Sequence, residues 1–122
     1  MKAEIHYLHS PDVEDLKSYQ PKEQKKFGIL VQAMLGPVDG DGDGEESFDF
    51  LVCTPSWFEE NQVNGQFAFG YHCLFFSIYD YALLYRCIED LCNQYEGDNW
   101  GEIANKIGRY GQWEFQDYRP AK

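Results

Sequence analysis

A chain of 122 residues with 43% hydrophobic and 17% aromatic content has the size of one domain and ample apolar material for a core, which argues against two domains and against intrinsic disorder. Its 10 Lys and Arg against 21 Asp and Glu give a formal net charge of −11, a field that repels a phosphate backbone and argues against direct nucleic-acid binding. What that field favours is a basic partner, because complementary charge speeds encounter and suppresses wrong pairings.

Residues 2–8 alternate, with Ala3, Ile5 and Tyr7 opposite Glu4, His6 and Leu8, which predicts a strand packed on one face. Ser10, Pro11 and Asp12 end it. Residues 13–26 mix charge with scattered apolar positions and contain Pro21, the pattern of a loop with one helical turn. Residues 27–35 are apolar at nearly every position, as in a central strand covered on both sides, and Gly36-Pro37 closes the run. Residues 47–53 set Phe48, Phe50 and Val52 on one face and Asp49, Leu51 and Cys53 on the other. The two segments predict a hairpin with a long tip.

Thr54-Pro55-Ser56-Trp57 predicts a helix start, with Thr54 capping free amides and Pro55 in the first turn, where its missing donor costs nothing. Asn64-Gly65 ends that short helix. Residues 66–79, rich in Phe, Tyr, Leu and Ile, predict one long strand, or two pieces broken at Gly70. Asp80 caps a further helix whose apolar positions Tyr81, Leu84, Tyr85, Ile88, Leu91, Cys92 and Tyr95 follow three-four spacing. Gly97 stops it, Asp98 is the expected cap of a shorter helix with Trp100, Ile103, Ala104 and Ile107 inward, and residues 112–118 predict a last strand. The expected fold is therefore a single α+β domain over residues 1–122, a mainly antiparallel sheet of about five strands with one short helix and two C-terminal helices packed against it.

Cys53, Cys73, Cys87 and Cys92 each lie in an apolar segment without Cys-x-x-Cys or metal-ligand spacing, so they are expected to be buried free thiols. Cys87 and Cys92, five apart on a helix, point about 140° from each other, a poor geometry for a disulfide. A reducing, cytoplasmic setting fits. The first fifteen residues carry charge without a long apolar run, and no segment approaches 18 uncharged apolar residues, so neither a signal peptide nor a membrane span is expected.

Residues 39–44 run Asp-Gly-Asp-Gly-Asp-Gly, which matches the first half of a calcium loop, but the twelfth position is Phe50 where the bidentate Glu belongs. A solvated acidic hairpin tip or an acidic contact surface competes with that reading, since Glu45 and Glu46 extend the block. His6, His9 and His72 share no motif with Cys or a carboxylate, and read as structural histidines; a small hydrolase using His72 with a nearby carboxylate stands as an alternative. No nucleophile elbow, phosphate-binding loop, His-Glu-x-x-His pair or dinucleotide fingerprint occurs, so neither catalysis, a metal nor a cofactor is expected. The adjacent carboxylates Glu59-Glu60 and Glu89-Asp90 point in different directions on a helix and read as solvated faces. Trp57, Trp100 and Trp113 read as core packing in preference to a ligand cage.

Four segments together carry a family resemblance: residues 48–57 (Phe-Asp-Phe-Leu-Val-Cys-Thr-Pro-Ser-Trp), Tyr79-Asp80 opening a helix, Gly97-Asp98-Asn99-Trp100, and residues 113–118 (Trp-Glu-Phe-Gln-Asp-Tyr). They resemble the immunity protein 8 family of bacterial polymorphic-toxin systems, and the likeness runs from the first strand to Tyr118. The resemblance implies a small cytoplasmic α+β inhibitor that binds and neutralises a cognate toxin domain, as in contact-dependent inhibition, without catalysis of its own. Such families meet several toxin chemistries, often nucleases. The motif residues Thr54, Pro55, Trp57, Trp100 and Trp113 coincide with expected caps and core. The expected contacts with a basic toxin are instead Asp39, Asp41, Asp43, Glu45 and Glu46, with Glu59 and Glu60 next.

Overall fold

The computed structural model describes residues 1–40 and 45–116. Alternation along β2 (Gly28–Pro37) and β3 (Glu46–Cys53) places Ile29, Val31, Ala33 and Leu35 opposite Val52, Phe50, Phe48 and Glu46 in one antiparallel ladder. Seven of those eight side chains are buried, and burying a large apolar side chain contributes roughly 1.5–3 kcal/mol, so this pair of strands nucleates the core. β1 (Ala3–His9) pairs antiparallel with the other edge of β2. On the free edge of β3, β4 (Cys73–Phe75) runs parallel to residues 51–53 and β5 (Gln112–Trp113) antiparallel to Phe48 and Asp49. Among the described residues the result is a five-stranded, mostly antiparallel sheet with three helices, an α+β fold.

The helices form where caps and periodicity coincide. α1 (Pro55–Gln62) starts at Thr54, whose side-chain oxygen accepts from Trp57 N at 3.4 Å and from Phe27 N at 3.2 Å, so one hydroxyl begins a helix and ties it to the start of β2. α2 (Tyr81–Gln94) is capped by Asp80 on Leu83 N at 3.1 Å and buries Leu84, Ile88, Leu91 and Cys92 beside β1. α3 (Trp100–Ile107) buries Ile103, Ala104 and Ile107 and packs beside β5. These stripes join Phe48, Phe50 and Val52 in one hydrophobic cluster.

Two positions need glycine for space. Trp57 lies against Gly28, where a Cβ would enter its ring, and Phe50 lies equally close to Gly111.

Several expectations are corrected. A bulge between Ile5 and Tyr7 inserts His6, so Tyr7 turns out to 49% exposure and Leu8 packs on the core in its place. β2 continues through Pro37, and only one face is fully buried; Leu30, Gln32 and Met34 on the other face are half-buried. Residues 13–26 form bends and turns with no helix, anchored by buried Leu16, whose carbonyl accepts the Tyr79 hydroxyl. Of residues 66–79 only Cys73–Phe75 is a strand: β5 already occupies Phe48 and Asp49, and β4 pairs with Leu51, Val52 and Cys53 alone. Asn99, not Asp98, caps α3, accepting from Glu102 N at 2.9 Å while Glu102 accepts from Asp98 N at 3.2 Å. The last strand shortens to two residues before a turn, and Asp117 and Tyr118 lie outside the described residues.

Candidate functional site

The acidic residues around the β2–β3 tip do not share one role. Asp39 is exposed with φ 67, in a turn closed by Gly40 N donating to Pro37 O at 3.2 Å. Asp41 and Asp43 lie outside the described residues. Glu45 Oε2 is 2.8 Å from His6 Nδ1, and His6 Nε2 is 3.8 Å from Glu4 Oε1, so the residue that β1 extrudes at its bulge is held between two carboxylates.

Glu46 turns inward. Its Oε1 accepts the indole N–H of Trp100 at 2.7 Å and that of Trp113 at 2.8 Å. The Trp113 ring stacks on Phe48 at 6.4 Å between centroids and 10° between planes, while Trp100 meets Phe48 edge-on at the same distance. Helix α3 and strand β5 are thereby fastened to the tip end of the hairpin by one carboxylate oxygen. All three tryptophans are half-buried, and each has a packing or hydrogen-bonding task inside the fold.

Glu59 and Glu60 are exposed on α1, with Glu60 3.3 Å from Lys26 Nζ. α1 follows the far end of β3, where Cys53 lies seven residue steps, or about 23 Å of strand, from Glu46. The carboxylates expected to meet a partner are thus split between two ends of the sheet.

The nucleophile reading can be placed, whereas residues 41–44 of the calcium-loop segment lie outside the described residues. Among the described residues no three His, Cys, Asp or Glu side chains converge to hold a metal ion. His72 Nε2 lies 3.2 Å from Gly108 O, and the residue adopts φ 53 with its own carbonyl accepting from Leu51 N at 2.8 Å. The open concavity of about 610 Å³ beside it is lined, among the described residues, by Tyr71, Asn105, Gly108, Arg109, Gln112 and Gln116, none of them a carboxylate to pair with the imidazole as a hydrolytic site requires. Burial pushes all four thiols up, Cys53 to about 11 with Cys73 adding to the effect, and Cys92 to about 12 with Glu89 adding. They stay protonated and weakly nucleophilic near neutral pH. Cys53 and Cys92 are buried as expected; Cys73 and Cys87 are only half-buried, and all four are free.

One feature escapes the sequence patterns. The connection from α1 to β4 holds Phe67, Phe69 and Tyr71 at 78%, 81% and 75% exposure. The rings of Phe69 and Tyr71 lie 6.0 Å apart, tilted by 44°. Their alternation mimics a half-buried strand, but the intervening residues are Ala68 and Gly70, too small to form a second packed face, and residues 61–79 contain no Asp, Glu, Lys or Arg. That long charge-free stretch in a chain that is 25% charged is the available signal.

No helix among the described residues is long and apolar enough to cross a membrane. A family model described as Immunity protein 8 matches residues 3–118 of the chain. No curated protein and no solved structure matches it.

Proposed function

The chain belongs to the immunity protein 8 family, and we propose that it protects its own cell by binding a basic toxin domain, such as a nuclease, in the cytoplasm and blocking it through an acidic surface. The observation that carries this reading is the family match over nearly the whole chain, from the first strand through the Trp-Glu-Phe segment that follows α3. The excess of 21 acidic over 10 basic side chains supports a cationic partner, because a toxin that grips nucleic acid must present positive charge. Four free, protonated thiols suit a reducing compartment.

On this reading Asp39, Asp41, Asp43 and Glu45 supply one part of the toxin contact, and Glu59 and Glu60 on α1 the other. Glu46 supports the first part from beneath, through its two indole donors. Inhibition requires no bond-making by this chain: a rigid sheet presents the charge, and the toxin's access to its substrate is what changes.

The test is coexpression with the toxin domain encoded by the adjacent gene. The wild-type chain should restore growth and co-purify with that domain. Growth arrest that persists with the chain present and folded rejects the reading.

A further inference from the structure

The aromatics between α1 and β4 are at least three-quarters exposed and lie outside the hydrophobic cluster of the described residues. We propose that Phe67, Phe69 and Tyr71 are the affinity-determining anchors of this protein, entering an apolar cleft with a cationic rim on the toxin domain; this rests on the immunity reading above.

Three observations converge. Phe and Tyr side chains each carry roughly 150–250 Å² of surface, so three of them at 75–81% exposure leave on the order of 400 Å² of ring uncovered, a patch at the scale that marks interaction sites on monomers. The stretch that bears them has no charged residue from position 61 to 79, whereas Glu59 and Glu60 flank one end and Asp80 the other. An aromatic, charge-free centre with a charged border is the composition of an interface core and its rim.

The loop is also held in place. Gly65 takes φ 84 at the turn that bridges Asn64 to Phe67. At the other end His72 adopts φ 53, gives its carbonyl to Leu51 N, and sets its ring against Gly108 O at the end of α3. The Tyr71 carbonyl accepts from Cys73 Sγ at 3.2 Å. Anchors fixed at both ends before the partner arrives lose little conformational freedom on binding, which is how a small patch gains affinity.

Charge selects the occupant. A second copy of this chain would bring another −11 to the contact, and an anionic lipid surface would be repelled in the same way. A protein cleft rimmed by Lys or Arg satisfies both the rings and their acidic border, and its cations can also lie over the ring faces.

The experiment compares the full-length wild type, Phe67→Ala/Phe69→Ala/Tyr71→Ala, and Glu59→Lys/Glu60→Lys for binding to the toxin domain encoded by the adjacent gene, with thermal unfolding of each. Loss of about 100-fold or more in affinity for the triple variant, with its melting temperature and the salt dependence of its association retained, is the expected result. A triple variant that binds within about threefold of wild type overturns the inference and leaves the immunity reading standing. Failure of the wild type itself to bind overturns both. Should the triple variant not fold, hydrogen exchange of the wild type decides: slowed exchange at residues 66–72 in the complex supports the anchors, and unchanged exchange removes them. Sedimentation showing a wild-type dimer that the triple variant loses assigns the patch to self-association and overturns the proposed occupant.

Discussion

Trp113, six residues beyond the end of α3, places its indole nitrogen 2.8 Å from Glu46, the first residue of β3. With Trp100 bonded to the same oxygen, an acidic side chain becomes a structural fastener shared by a helix and two strands.

Replacing that carboxylate should therefore cost stability more than it costs charge. Glu46→Ala leaves two half-buried indole donors unsatisfied and should destabilise by about 2–4 kcal/mol, whereas Glu46→Gln keeps an acceptor oxygen and should cost about 1 kcal/mol. Urea unfolding followed by tryptophan fluorescence measures both. Equal, negligible losses for the two variants would show that the indoles find water at no cost.

Charge reversal at the exposed carboxylates should act on the rate of encounter. Asp39→Lys/Asp41→Lys/Asp43→Lys is expected to slow association with the toxin domain and flatten its salt dependence while leaving dissociation nearly unchanged, because rim charges steer more than they hold. Stopped-flow association across a salt series reads this directly. Kinetics identical to wild type would remove the hairpin tip from the encounter surface.

The thiols set an alkaline limit on stability. Cys53 and Cys92 titrate near 11 and 12 in the folded chain against an ordinary 9.0, so above about pH 9 the unfolded chain releases protons that the folded chain retains. The folded state then binds more protons, and stability falls as pH rises from about 9 through 11 to 12. Tyr79, raised by burial to about 12 from 10.0, steepens the upper part of that fall. Urea midpoints between pH 7 and 11 should be flat at first and then decline, and Cys92→Ala should decline less steeply than wild type.

Contact between Gly28 and the Trp57 ring leaves no room for a methyl group. Gly28→Ala should cost about 1–3 kcal/mol through overpacking. Adding Trp57→Leu should return part of that loss, a positive coupling that a double-mutant cycle in guanidinium measures. Strict additivity of the two would mean that the ring swings away freely.

Local chemistry is legible in the sequence, and distant pairing is not. Thr54, Pro55 and Asp80 announce α1 and α2 because a cap and its helix lie within a few residues, and the three-four spacing of Leu84, Ile88 and Leu91 fixes the buried side. Phe48, Phe50 and Val52 likewise declare the inner face of β3. Asn99 supplants Asp98 because both are good caps one position apart, and only the geometry of Glu102 chooses between them. Glu46 reads as one more solvated acid because its donors lie 54 and 67 positions away. Phe67, Phe69 and Tyr71 read as a strand because alternation describes spacing without saying whether any sheet edge remains to receive it. The edge of β3 is taken up by Cys73–Phe75 and by a segment forty residues downstream, and no window of neighbouring residues contains that competition.

Among the described residues, β4 and β5 each bond to β3 and to no other strand. That single rail ties both short strands to the β2–β3 pair: a lesion that unzips Glu46–Cys53 strips away the mooring of the aromatic loop and of the final turn in one event. Tolerance to sequence drift should accordingly be lowest along those eight residues, and widest where the chain reaches outward.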